Sequence, residues 1–406
     1  MIGMRMLRMS AAIAALAMSA VSAMAAPACT NTNGTFERWL EGFKKDALAA
    51  GVKPHTVSSA LDGMTADMSI VSSDRKQGFF SQTFLDFSAK LATPSRVTSG
   101  IAKVRQQKAV FDRVEKEFGV PAPVITAFWA LESDFGSGMG KKPVLRSLAT
   151  LAYDCRRGEM FRAELIYALK IIDRGDLRAD EMVGSWAGEL GQTQFLPGHY
   201  YNFAVDYDGD GKRDLLRSNP DIIASTANFI RSLGWKSGEP WLQEVRVPAE
   251  MAWEQAGLDI KLPRSKWAEM GVTTVDGKKL PADAMPSSLL LLMGRNGPAF
   301  LAYPNFEAYL KWNQSLNYAS TAAYLATRIA GAPAMNRGRS SIPALEGTQM
   351  VEMQQILAKR GYKVGEPDGK LGAGTRLAIR QAQLKAGLPA DGYPNPEFLS
   401  ALRGGR

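Results

Sequence analysis

The stretch that most limits what this 406-residue chain can become is "GVPAPVITAFWALESDFG", Gly119 to Gly136. Pro121 and Pro123 suit the first turn of a helix, where a missing N–H costs nothing. Val124, Phe128 and Leu131 then share one face with Trp129 beside them, so the segment needs a core to pack against. Glu132 follows Phe128 by four residues, at the margin of that stripe and near the helix C-terminus. Apolar surroundings disfavour a carboxylate anion, and so does the negative end of a helix dipole. A carboxylic acid held protonated near neutral pH is what a general acid requires. Periodicity alone favours the plainer reading, a solvated glutamate at a helix end.

The rest of the chain is organised around this segment. Residues 35 to 120 read as helical, and "FERWLEGFKKDALAAGV" places Phe36, Leu40, Phe43 and Leu48 on an apolar face that stops at Gly51. Residues 240 to 300 mix turn signals with short apolar runs, the pattern of a small β-containing subdomain. A helical pattern returns at "NFEAYLKWNQSLNYASTAAYLATRIAG". The Pro-, Gly- and Ser-rich run after it has a linker composition, so 332–344 is read as a linker. Residues 345–406 then form a separate small module, in which Met350, Met353 and Leu357 recur at helical spacing and Thr375 is placed to cap the next helix.

The first 25 residues read as a cleavable secretory signal, with Arg5 and Arg8 before an apolar core and "AMA" at the cleavage site. The apolar run falls short of the roughly 20 residues that span a bilayer, so no transmembrane anchor is expected. A lipoprotein signal ending at Cys29 is the competing reading, though Pro27 suits its small-residue box poorly. Export implies an oxidising compartment, and the pair Cys29 and Cys155 is expected to form one disulfide, with two unpaired thiols as the alternative. Losing Arg5 and Arg8 with the signal lowers the formal charge from +9 to +7. The remaining Lys and Arg are scattered among acids, which argues against a nucleic-acid partner. A mildly basic exported protein suits an anionic polymer such as a bacterial cell wall.

Four ordered motifs make the reading sharper. "ALESDFG" resembles the catalytic segment of the membrane-bound lytic transglycosylase B family, which cleaves peptidoglycan. "GSWAGELGQTQFLPGHY" resembles that family's groove segment, "VDYDGDGKRDLL" with "NPDIIASTANFIRSLGW" its calcium-loop region, and "PNFEAYLKWNQSLNYA" its closing motif. The resemblance covers most of residues 35 to 330 and assigns 26–331 to the catalytic domain. It implies a mainly α, lysozyme-like α+β fold with a sugar groove, and a single catalytic carboxylate, Glu132. Glu132 would protonate the oxygen between MurNAc and GlcNAc, the MurNAc acetamido oxygen would stabilise the cationic centre, and the C6 hydroxyl would close a 1,6-anhydro ring with no cofactor required. Ser185 would bond near the acetamido group, Gln194 would contact sugar hydroxyls, and Phe195 would wall the groove. Asn313 would orient the acetamido group and Tyr318 would steady Glu132 or the developing charge. The glycines behind Glu132 would leave room for a sugar strand.

Each of these residues also has a structural reading: Ser185 as a cap, Phe195 and Tyr318 as core, Gln194 and Asn313 as loop polar groups. Two positions depart from the family pattern. Trp312 stands where Tyr is common, a change that keeps an aromatic wall and removes a hydroxyl. Glu189 stands where a small residue is common, and a second carboxylate there would permit direct hydrolysis if it positioned a water; an exposed or structural role is the expectation.

"DYDGDGKRD" puts Asp206, Asp208, Asp210 and Asp214 at positions 1, 3, 5 and 9 of an EF-hand-like loop with Gly211 at the sharp turn. Arg217 stands where the bidentate Glu is needed. The resemblance implies that Asp221 substitutes for it in an enlarged loop holding a structural calcium ion, while a metal-free Asp/Gly turn is the alternative. The tail, "EPDGKLGAGTRLAIRQAQ", resembles a three-helix peptidoglycan-binding domain. Zinc amidases and peptidases lack their ligands here, since the chain has only His55 and His199. A Cys–His peptidase built on Cys155 and His199, and a non-catalytic wall-binding scaffold, are the remaining alternatives.

Overall fold

The structure, a computed structural model, describes residues 34–75, 82–339, 342 and 344–404. The expected signal and Cys29 lie outside the described residues. None of the described helices is long and apolar enough to cross a membrane.

The protein is mainly helical. Helices Phe36–Ala49, Pro54–Leu61, Met68–Arg75, Phe84–Leu91, Pro94–Gln106 and Lys108–Phe118 precede the segment that dominates the sequence, which forms the helix Ala122–Ser133. Proline in its first turn and Pro121 as N-cap start it as anticipated. Its surroundings differ from the one-sided stripe. Residues Val124 to Ala130 are all buried, because Ala127 and Ala130 are small enough for neighbouring helices to close over the back. A helix buried all round is a core helix. Pro94–Gln106, Asn219–Ser232 and Leu316–Ile329 pack against it.

In the first helix the buried residues are Phe36, Leu40, Phe43 and Ala47, while Leu48 is 43 % exposed. The i, i+4, i+7, i+11 spacing carries the stripe to Ala47, and Leu48 falls one position off it. Two apolar cores result. One surrounds the central helix and includes Phe128, Trp129, Ile222, Tyr309 and Leu325. The other joins the first helix to Val144–Tyr153, Gly158–Arg174 and Phe195. Trp312 packs against both, which places it on the seam.

Between residues 240 and 303 the chain forms a five-stranded antiparallel sheet in the order Leu262–Pro263, Pro286–Leu290, Ala299–Ala302, Leu242–Arg246, Thr273–Thr274. One face covers a small core of its own, with Trp253, Trp267 and Leu301. Helices Phe306–Trp312 and Leu316–Ile329 follow and carry the chain back to the central helix.

The Pro- and Gly-rich run after Ile329 is not a free tether. Met335 N–H donates to the Tyr324 hydroxyl at 3.2 Å, Asn336 N–H to a Glu244 carboxylate oxygen at 2.7 Å, and Arg339 N–H to the Asn296 carbonyl at 2.8 Å. Residues 335–339 are a strap laid across the end of the sheet and the helix that follows it. Beyond it, helices Gly347–Lys359, Ala373–Lys385 and Pro396–Arg403 enclose a compact core of Met353, Leu357, Ile379 and Phe398. Thr375 is not a cap. Gly372 takes that position, and Thr375 is buried, with its hydroxyl accepting from Gln354 Nε2 at 3.2 Å. The module is docked on the larger domain that precedes it. Arg376 donates to the carbonyls of Leu291 and Leu292 at 3.2 and 2.7 Å, and Arg380 to the Ala256 carbonyl and the Asp259 carboxylate.

Candidate active site

The central helix ends abruptly. Asp134 and Phe135 both have left-handed backbone, φ 51° and 59°, an uncommon state for non-glycine residues that the surroundings must enforce. Gln192 clasps the helix just ahead of these two residues. Its carbonyl accepts the Ser133 hydroxyl at 2.5 Å, its side-chain oxygen accepts Trp129 Nε1–H at 2.8 Å, and its amide donates to the Leu216 carbonyl at 2.8 Å. Nothing marks Gln192 in the sequence except that a buried Trp129 indole needs an acceptor. Gly136 and Gly140 serve close packing and not open space. A Cβ on Gly136 would lie 2.7 Å from the Gln192 side chain, and one on Gly140 would lie 2.2 Å from the Gly184 carbonyl.

Glu132 therefore sits at a fixed helix end on the seam between the two cores. Its Oε1 accepts two hydrogen bonds, one from the Tyr318 hydroxyl and one from Trp312 Nε1–H at 2.8 Å. Trp312 is held flat against Phe128, ring centroids 4.1 Å apart, with Phe195 and Phe229 behind it. Tryptophan at position 312 thus brings its own N–H donor to the carboxyl, a role that the loss of a hydroxyl had obscured in the sequence. Burial drives the Glu132 carboxyl up from its ordinary 4.5 to about 7, against the pull of the Tyr318 and Trp312 hydrogen bonds, and the charge of Glu189 adds to the rise. The solvated-glutamate reading fails on this geometry.

The loop from Gly184 to Phe195 forms the facing side. Ser185 does not stand free. Its hydroxyl donates to Glu189 Oε2 at 2.8 Å and accepts the N–H groups of Ala187 and Glu189 at 3.1 and 3.2 Å. Glu189, expected to be exposed or merely structural, is half-buried and is near enough for its charge to act on both Glu132 and Tyr318. Burial raises its own carboxyl. Gln194, with φ 49°, turns its amide onto the carbonyls of Met139 and Gly191 at 3.2 and 2.9 Å. Phe195 is 1 % exposed, so its ring braces Trp312 from behind and is not itself a wall a sugar can touch. Asn313 ends the Phe306–Trp312 helix and accepts Ser315 N–H on Oδ1 at 2.9 Å.

Three of the five aspartates proposed as metal ligands converge. Oxygens of Asp206, Asp208 and Asp210 lie within 4.8 Å of one another. Asp221 is buried and accepts the N–H groups of Tyr207 and Asp214 at 2.7 and 2.8 Å, so it knits the loop together from inside. Asp214 pairs with Arg217 Nε at 2.6 Å, which accounts for the arginine at the last position of the loop. Cys155 is disulfide-bonded and His199 is packed among Phe195, Phe203 and Phe229, so these two do not form a Cys–His couple.

A carboxyl raised to about 7, set at the end of a buried helix and backed by aromatics, is the equipment of the lysozyme-like glycan-cleaving enzymes. Residues 35–327 match the family described as "Transglycosylase SLT domain", and the chain belongs to that family. Residues 346–402 match the "Putative peptidoglycan binding domain" family. The chain is 32 % identical over 254 residues to the membrane-bound lytic murein transglycosylase B of Escherichia coli, covering 61 % of this chain and 67 % of that protein. SltB3 of Pseudomonas aeruginosa, solved in complex with NAG-anhNAM-pentapeptide, is similar over 91 % of this chain and 100 % of its own, with TM-score 0.85 and 43 % identity. The Escherichia coli lytic transglycosylase Slt35, solved in complex with calcium, is similar over 72 % of this chain and 92 % of its own, with TM-score 0.60 and 27 % identity.

Proposed function

We infer that the chain is a lytic murein transglycosylase that cleaves the bond between MurNAc and GlcNAc in peptidoglycan and leaves a 1,6-anhydroMurNAc end. The observation that carries the reading is the Glu132 carboxyl, raised to about 7 by burial and held through a single oxygen by Tyr318 and Trp312. A group with that pKa is protonated at the start of the reaction and is a competent base once it has given its proton away. Glu132 gives a proton to the glycosidic oxygen as the C1–O bond breaks, and the acetamido oxygen of the same sugar bonds to C1. The C6 hydroxyl then attacks C1, the acetamido group reopens, and the C6 proton passes to Glu132. The acid returns to its first state, and no water or cofactor enters the balance. Tyr318 and Trp312 lower the cost of the anion between the two steps.

The protein acts in the periplasm after export, with the C-terminal module binding the wall. Asp206, Asp208 and Asp210 would hold a calcium ion, which would steady the loop ahead of the Asn219–Ser232 helix. The three converging carboxylates have the hard oxygen chemistry calcium prefers, and Slt35, a similar protein, was solved with calcium. The role is structural, because the loop contributes no group to Glu132.

The test is digestion of purified cell wall with mass spectrometry of the products. Anhydro-muropeptides that disappear in Glu132→Gln are expected. Reducing ends would make the protein a hydrolase. Wild-type binding with no products at all would make it a scaffold.

A further inference from the structure

Glu189 is the charged group next to the catalytic acid that the reaction as described leaves without a task. Among the described residues its only hydrogen-bond donor is Ser185, which engages Oε2. Among the described residues Oε1 receives no hydrogen bond, and it is not sealed in the interior. The groups that its charge meets are Glu132 and Tyr318 across the site and Arg157 on its own side. Arg157 is itself committed to Asp74.

The hydrogen-bond capacity of Ser185 settles which of the two residues can reach a substrate. A serine hydroxyl offers one donor and two acceptor sites. Ser185 gives its proton to Glu189 and fills both acceptor sites with the amides of Ala187 and Glu189. It has nothing left for a sugar. Its output is a Glu189 side chain locked by one oxygen, with the other oxygen aimed away from the lock and open.

We propose that Glu189 is a substrate-contacting residue whose free Oε1 accepts the N–H of the acetamido group on the sugar being cleaved. This rests on the transglycosylase reading above. An acetamido group bonds to C1 through its oxygen, and the nitrogen becomes positive as it does so. A carboxylate on the N–H turns the carbonyl oxygen toward C1 and strengthens its hold as that charge develops, which is the condition for lowering a barrier and not merely binding tighter. The proton stays on nitrogen throughout, so the balance of the reaction is unchanged. Asn313 complements the grip. Its Oδ1 is taken by Ser315 N–H, and its amide N–H groups remain for the acetamido carbonyl.

The test compares wild type, Glu189→Gln, Glu189→Ala and Ser185→Ala on purified cell wall, with kcat and KM measured across pH. A thiazoline analogue of N-acetylglucosamine, which imitates the cyclised acetamido group, is titrated against each. Glu189→Gln keeps the shape and is expected to lower kcat about tenfold to a hundredfold, the span of one charge-assisted hydrogen bond, with KM within about twofold. Affinity for the thiazoline falls by a similar factor. Ser185→Ala loses about tenfold, because Glu189 remains but is no longer locked.

Unchanged thiazoline affinity in Glu189→Gln overturns the proposal even if activity falls. So does a loss confined to the alkaline limb of the pH profile, because Glu189 would then act only through the ionisation of Glu132. Wild-type kinetics in Glu189→Gln, with anhydro products still formed, sinks this proposal and leaves the reaction intact. Wild type forming no anhydro product removes the reaction reading itself, and the proposal with it. Thermal unfolding of each variant separates loss of fold from loss of grip.

Discussion

Glu132→Gln should make the protein more stable, and more so as the pH rises. In the unfolded chain the carboxyl ionises near its ordinary 4.5, whereas burial in the folded protein moves it to about 7. The folded state therefore holds a proton that the unfolded state has released. A raised carboxyl gives its full contribution to stability below the unfolded value and loses it progressively as pH climbs through the folded value. At about 1.4 kcal/mol for each pH step, the penalty for keeping Glu132 charged and folded reaches about 3 kcal/mol at pH 8 and only about 1 kcal/mol at pH 5. Glutamine carries no such penalty, and its side-chain oxygen still accepts from Tyr318 and Trp312. Water reaching the site screens part of the effect, so these figures are ceilings. For a domain of this size each kcal/mol is worth about 2 °C in Tm, which puts the gain at about 6 °C at pH 8 and about 2 °C at pH 5. Differential scanning calorimetry of both proteins across that range reads the difference directly. A Tm gap that does not change with pH, or a Glu132→Gln protein less stable than wild type at pH 8, would refute the claim that the site strains the carboxyl.

Trp312→Phe keeps a ring against Phe128 but removes one of the two donors to Glu132. The carboxyl should rise further, so the alkaline limb of kcat/KM moves upward while kcat falls about tenfold; an unmoved limb rules out the indole bond as a determinant. Added calcium should raise Tm over a chelated control by an amount worth about 3 kcal/mol at a hundredfold excess over Kd, and Asp208→Asn should erase the difference. Equal Tm in calcium and chelator would leave the loop a metal-free turn. Arg376→Met with Arg380→Met cuts the hydrogen bonds that dock the C-terminal module, at a cost of about 2–4 kcal/mol. Calorimetry should then resolve a separate module transition and limited proteolysis should cut within 332–344, whereas a single transition like that of wild type would show that the docking is held elsewhere.

The parts of this protein that were readable from its sequence are those set by neighbours along the chain. Pro121 and Pro123 announced the central helix, the Asp-Gly alternation announced the loop at 206–214, and turn signals announced a sheet between 240 and 300. The order of the strands was not readable, since pairing Leu242–Arg246 with Ala299–Ala302 joins residues almost sixty positions apart. Burial of the central helix on all sides depends on which helices close over Ala127 and Ala130, and no periodicity in the helix itself records that. Glu132 and Tyr318 were placed by motif, and the structure joins them. The reach of Glu189, the clasp of Gln192, the indole bond of Trp312 and the burial of Phe195 come from side chains meeting across loops. In each, residue type permits the contact and only the fold makes it.

The strap and the paired arginines bear on how the enzyme samples its substrate. A module on a slack tether lets a catalytic domain sweep a volume around each anchoring point, at a local concentration set by tether length. Here 335–339 are pinned to the sheet, its connecting loop and the Leu316–Ile329 helix, and the module is bolted on by Arg376 and Arg380. Anchor and cutter then share one frame. Where the module lands fixes both which bond lies within reach and the direction from which it is approached, and reaching the next bond requires the anchor to let go.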